Sequence, residues 1–274
     1  MNKTLKAIGY IILVIGAISM LIPFLWMVCV SVMTPEQIFH YPPKFVPSPI
    51  VENNYKQVFT TLALKRYFIN SLFVAFATTI GQVIISAMAG YAFARLNFKY
   101  KEPLFILILV TMMVPPQVNI IPLFFIMREL NWIDTYQALI VPGLFGGFGV
   151  FLMRQWFMSL PKDLEEAAKI DGCNTFIIFC KIAFPLAMPA IMTLTIFTFI
   201  TTWNSFMWPL IVTNSDSMRT LPIGLANFKG SFREITQWGE LMAYSVICCI
   251  PVIGIFLLGK KYFINDILSG SLKE

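Results

Sequence analysis

Charge is what this sequence has least of. Only 12% of its 274 residues are Asp, Glu, Lys or Arg, while 58% are hydrophobic. A soluble domain carries about 25% charged residues. That excludes a water-soluble globule, and a mean hydropathy of +0.75 places the chain in a bilayer. Histidine is nearly absent: His40 stands alone in a proline-rich stretch, which leaves no ligand set for a metal. The five cysteines, Cys29, Cys173, Cys180, Cys248 and Cys249, are odd in number and form no C-x-x-C, so no disulfide framework is implied. Catalytic signatures are missing as well. There is no Gly-x-Ser-x-Gly, no His-Glu-x-x-His and no carboxylate pair inside an apolar run. The nearest approach to a nucleotide motif runs from Gly254 through Gly259 to Lys260 and Lys261. There Lys261 replaces the Ser/Thr hydroxyl that would ligate Mg²⁺. The chain is therefore expected to be no enzyme and to bind no cofactor of its own. Its net charge of +6 is a topology signal, and no nucleic-acid partner is expected.

What is present is apolar sequence in long pieces. Six charge-free runs cover 7–35, 67–94, 103–127, 135–153, 182–215 and 241–259. A spanning helix needs about 20 apolar residues, so the expected fold class is an all-α integral membrane protein with six transmembrane helices, multi-pass in the cell membrane and in contact with lipid. The first run follows Lys3 and Lys6 but exceeds the ~7–15-residue core of a signal peptide; it reads as a retained span. With the N-terminus inside, the inner segments hold twelve of the twenty Lys and Arg residues, among them Arg95, Lys99, Lys101, Arg154, Lys162, Lys169 and Lys181. The longer outer segments hold eight, so the positive-inside rule gives N-in and C-in. Prolines 115, 116, 122, 142, 185, 189, 209 and 251 fall within runs. Each removes a backbone hydrogen bond, and broken helices of that kind are frequent around transport pathways. Ser86-x-x-x-Gly90 and Gly143-x-x-x-Gly147 offer small faces for close packing. The domain division reads as 1–66, a first span with a proline-rich outer loop holding a short helix within 51–59, and 67–274, a core of five spans with a C-terminal tail.

Between the fourth and fifth runs lies a polar stretch, 160–185. Pro161 suits a first helical turn, and Asp163, Glu165 and Glu166 suit the positive end of the macrodipole. Asp171-Gly172 stops the helix, with Gly172 where a left-handed cap is common. Asn174 is placed to cap a second short helix from Thr175. Phe176, Ile177, Ile178, Phe179 and Ile182 are too apolar to sit bare in water, and a helix of about ten residues is marginal alone. The spacing predicts a helix–turn–helix knob that needs a docking partner.

Glu166-Ala167-Ala168, then Asp171-Gly172, Ile182 and Pro185, at these spacings, resemble the EAA loop of ABC-importer permeases. Asn70-Ser71-Leu72, Gly90-Tyr91-Ala92-Phe93-Ala94-Arg95, Ile121-Pro122-Leu123, Asp134-Thr135, Trp203-Asn204, Trp208-Pro209-Leu210 and Thr220-Leu221-Pro222 look like carbohydrate-uptake permeases, the subunit type that pairs with a second, different permease, as in the maltose importer. Cys173 departs from the usual Ala. The resemblance implies a type I ABC-importer permease fold. It also implies two ATPase subunits that bind ATP and Mg, and an extracytoplasmic solute-binding protein. ATPase closure would pull the knobs together and turn the pathway outward. The residues so implicated in ATPase coupling are Glu165, Glu166, Ala167, Ala168, Asp171, Gly172, Cys173, Phe176, Ile182 and Pro185.

Two further sets are candidates. In the fifth run, Thr202, Trp203, Asn204, Phe206 and Trp208 mix a hydroxyl, an amide and aromatic rings ahead of a proline, and suit a sugar path as well as they suit helix packing. In the outer segment 216–240, Phe228, Phe232 and Trp238 are costly to expose without purpose and suit contact with the binding protein. Permeases for another solute, such as glycerol phosphate or a peptide, are the alternative within this class. A secondary transporter would need internal repeats or intramembrane carboxylates, and neither is seen.

Overall fold

A computed structural model describes residues 3–61, 63–231 and 237–271, with the side chains of 7–60, 63–226 and 237–260. Among these residues every regular element is helical. The order is α1 (Lys3–Val30), α2 (Pro35–Ile38), α3 (Asn53–Thr61), α4 (Leu64–Arg95), α5 (Lys101–Met113), α6 (Ile120–Glu129), α7 (Tyr136–Ile140), α8 (Gly147–Ser159), α9 (Asp163–Ile170), α10 (Thr175–Ile178), α11 (Phe184–Leu186), α12 (Met188–Trp203), α13 (Met207–Val212), α14 (Leu221–Ser231) and α15 (Trp238–Ser271). A π-helical turn, Phe179–Ala183, joins α10 to α11. The short outer helix expected within 51–59 is α3.

Three helices are long and apolar enough to cross a bilayer unbroken: Ala7–Val30, Leu64–Arg95 and Trp238–Lys260. The other three expected spans are not straight. α5 and α6 are bent by 93° around Pro115 and Pro116, the α7 and α8 segments by 40° beyond Pro142-Gly143, and the 175–186 segment and α12 by 76° before Pro189. Counting each bent pair as one span gives six. The run 182–215 is broken, as its prolines led one to expect: the chain kinks at Ala187–Met188, ends α12 at Trp203 and restarts at Met207. Composition sees the apolar run, whereas the missing proline N–H groups decide where it breaks.

The chain divides into two compact units, Met1–Arg66 with Leu221–Ile250, and Tyr67–Thr220 with Pro251–Glu274. In the first, Asn54 Nδ2 donates to the carbonyls of Ser31 (2.9 Å) and Met33 (3.0 Å), closing the end of α1. Gln37 at the third position of α2 completes a capping box with Thr34.

The second unit is built inside out. α4 turns Asn70, Ser71, Val74, Thr78, Val83, Ser86, Ala87 and Tyr91 inward and leaves Phe73, Ile80, Ile84 and Met88 exposed. Small and polar residues face protein because lipid already satisfies apolar ones, and small residues let backbones approach. A Cβ on Gly90 would lie 2.6 Å from Met153 Cβ and 2.8 Å from the Arg154 amide nitrogen, and one on Gly149 would strike Ser86 Oγ. The Ser86/Gly90 face is thus where α4 and α8 touch. Beside it Val83, Ala87, Tyr91, Met153, Phe157, Phe179, Ala183 and Leu194 form one core from α4, α8, the π turn and α12.

Candidate functional site

The 160–185 segment folds as its local chemistry dictates. α9 begins at Asp163, so Pro161 sits just ahead of the cap residue Lys162 instead of inside the first turn. The helix ends in a Schellman arrangement: the Cys173 N–H donates to the Ala168 carbonyl (2.9 Å) and the Gly172 N–H to that of Lys169 (3.0 Å). Gly172 has φ +81°, the conformation that the motif demands and that only glycine adopts freely. Asn174 then caps α10, its Oδ1 accepting from the Ile177 N–H at 2.9 Å. Both expectations hold at the level of individual hydrogen bonds.

Two faces follow. The outer one carries Leu164, Glu166, Ala167, Lys169, Ile170, Asp171, Gly172, Phe176 and Pro185, all exposed. Ile170 is 87% and Phe176 65% exposed. Cys173 and Ile182 are half-buried. The inner face of α9 consists of Glu165 and Ala168 alone. Both belong to the residues implicated in coupling, and both turn into the chain's own core instead of outward. Glu165 Oε1 lies 3.0 Å from Arg95 Nε, with both side chains nearly closed off from solvent. The contact is one of charge, since the Nε–H is not aligned along it. Arg95 Nη2 also donates to the Leu160 carbonyl at 2.6 Å, and Tyr91 stands beside the Glu165 carboxylate. Removing one member of such a buried pair costs about 3–5 kcal/mol. Tyr91 is packed edge-on to Phe157 (5.4 Å) and tilted on Phe179 (5.2 Å). Arg95, Tyr91 and Phe179 were missed as site residues; the quoted run from Gly90 to Arg95 held two of them, but nothing in it names the distant carboxylate.

A second constellation gathers other quoted motifs. Tyr136 OH donates to Asn70 Oδ1 (2.7 Å), while Asn70 Nδ2 donates to the carbonyls of Ser217 (2.8 Å) and Arg219 (2.9 Å). Asp134 Oδ1 accepts from the amides of Asn214 (2.9 Å) and Ser215 (3.0 Å). Trp208 Nε1 donates to the Ala138 carbonyl at 2.9 Å. Burial pushes the Asp134 carboxyl up, but the Ser215 and Asn214 hydrogen bonds outweigh it and hold it below its ordinary value. This clasp closes the chain around a cavity of about 150 Å³ lined by Ser71, Thr78, Thr201, Thr202, Ser205, Trp208 and Thr220, among others. Thr78 Oγ1 and Thr220 Oγ1 are buried without a hydrogen-bond partner among the described residues. Of the path candidates, Thr202 and Trp208 line the cavity, and Asn204 and Phe206 are exposed beyond the end of α12. Of the two readings left open for it, sugar path or helix packing, Trp203 takes the packing one. It is 2% exposed, stacked on Phe199 at 5.8 Å and edge-on to Phe68 at 5.7 Å.

In the first unit Trp238 borders a recess of about 520 Å³ shared with Met33, Phe39, Asn54 and Glu240. The Phe228 side chain and all of Phe232 lie outside the described residues.

Comparison with known proteins places these features. A family model described as "Binding-protein-dependent transport system inner membrane component" matches residues 82–266. The trehalose/maltose transport system permease protein MalG of Thermococcus litoralis is 38% identical over 96% of this chain and 96% of its own. The sn-glycerol-3-phosphate transport system permease protein UgpE of Yersinia enterocolitica is 30% identical over 97% of each. A crystallised bacterial ABC transporter involved in import of the acidic polysaccharide alginate has a chain of the same fold, with a TM-score of 0.84 at 23% identity, covering 96% of this chain and 99% of that one. By the family match and its apolar helices, the chain is a multi-pass membrane protein and belongs to the binding-protein-dependent transport system inner membrane components.

Proposed function

We propose that the chain is a permease subunit of an ATP-driven importer for a neutral sugar or oligosaccharide, coupled to its ATPase through the 160–185 knob. The observation that carries this is the outer face of the knob, where Ile170 and Phe176 stand exposed beside a Schellman turn. Apolar side chains grouped on an otherwise polar segment mark an interaction surface. The reading completes the machine with a second, different permease, two ATPase subunits that bind ATP and Mg, and an external binding protein that meets the surface around Trp238. The names of relatives such as MalG support a sugar. So does the cavity: its lining offers hydroxyls and no cation, which suits a solute rich in hydroxyl groups and without charge.

UgpE favours a second reading, glycerol phosphate. An anion in a dry pathway needs a countercharge, and none lies in the six runs. The test is capture of the tagged chain from its native membrane, followed by uptake in reconstituted vesicles supplied with the cognate binding protein. A co-purifying ATPase and ATP-dependent uptake of neutral oligosaccharides are expected. Uptake of glycerol phosphate with neutral sugars ignored would transfer the assignment to the second reading.

A further inference from the structure

The inner face of α9 raises a mechanical question. An eight-residue helix is marginal by itself, and this one buries only Glu165 and Ala168. A single methyl group supplies its entire apolar anchor. What remains to hold it is the charge contact to Arg95, the last residue of α4. That contact is tied in three further ways. Arg95 binds the Leu160 carbonyl in the link between α8 and α9. Tyr91, one turn earlier on α4, stands beside the same Glu165 carboxylate. Tyr91 is itself wedged against Phe157 of α8 and Phe179 of the π turn. At the level of Gly90 the backbones of α4 and α8 already touch, and Arg154 Nε donates back to the Phe93 carbonyl at 3.3 Å.

We infer that Glu165 and Arg95 are positioning residues for coupling: their ion pair is the strut that fixes α9 to the end of α4, so that a push on the knob moves α4 and α8 with it. This rests on the knob being the ATPase dock. Glu165 then contributes no contact to the ATPase at all; its neighbour Glu166 faces outward and Glu165 transmits. A strut of this kind is specific in sign and geometry. The pair tolerates exchange of its members, whereas either member alone leaves an uncompensated charge.

The test uses the full complex in reconstituted vesicles. Glu165→Gln is expected to keep the ATPase bound and hydrolysing while transport per ATP falls about tenfold, the size of a typical coupling term. Arg95→Gln should do the same, and the double variant should be no worse than either single one, as for two residues acting as one unit. The exchange Arg95→Glu with Glu165→Arg should recover most of the loss. Hydrogen exchange of amides 163–171 in the same variants, purified without ATPase, gives a readout that needs no ATPase: protection should fall in the singles and return in the exchange. Normal transport in Glu165→Gln, additive losses in the double variant, or unchanged protection of 163–171 would each overturn the strut. If no ATPase accompanies the chain, the reading of the knob as a dock fails, while the exchange data still decide whether the pair holds α9.

Discussion

Gly172→Val separates coupling from folding. The glycine has φ +81°, and nothing lies within 4 Å of where its Cβ would stand. A valine therefore meets no steric obstacle, and its whole cost is the left-handed backbone, about 1–2 kcal/mol. That is a shift of about 5- to 30-fold in the local population of the turn. It falls on two hydrogen bonds only, those closing α9 on Ala168 and Lys169. The core of α4, α8 and α12 lies away from this exposed turn and keeps its packing. Expression and membrane insertion should therefore stay near wild type, while binding-protein-stimulated hydrolysis and transport in reconstituted vesicles separate or fall. Gly172→Asn is the control, because asparagine tolerates the left-handed region; it should recover much of the loss. If asparagine is as damaging as valine, side-chain bulk at the docking face is at fault and the conformational argument is wrong. Loss of the valine variant from the membrane would show that the turn is needed for folding.

Gly90→Leu should act in the opposite sense. The new Cβ would meet backbone of α8, which cannot give, so a cost of about 1–3 kcal/mol or more should appear as a lowered Tm and poor recovery, whereas Gly16→Leu, with nothing within 4 Å, should be neutral by the same measurement. The Asp134 clasp should depend on pH. Its carboxyl is held below the ordinary value in the folded chain, so its contribution is full above the unfolded pKa and is lost as pH falls through the folded one. The stability gap between wild type and Asp134→Asn should be complete at about pH 6 and shrink below about pH 4; a gap that does not change with pH would refute the assignment.

How much of this was legible depends on range. Gly172, Asn174 and the turn between them could be read from neighbours within five residues, because caps are local chemistry. The number of apolar runs was legible for the same reason. The bends were half legible: the prolines marked where a hydrogen bond was missing, but not that α5 and α6 would part by 93°. The inward turn of Glu165 was not legible, because helical periodicity alone does not say which face of α9 meets Arg95, a residue on another helix. Trp203 was similar. An indole beside Asn204 reads as a platform until Phe199 and Phe68 are seen to occupy its face and edge.

The bare tip of the knob has a consequence for how the protein is made. Ile170 and Phe176 are exposed, and on the proposed docking they stay so until an ATPase covers them. A chain synthesised in excess of its partner thus displays an apolar patch of the kind that chaperones and proteases triage. If the proposed dock is right, its steady-state amount should follow the supply of ATPase more than its own rate of synthesis. The same residues that the proposal makes useful in assembled copies would then mark orphan copies for removal.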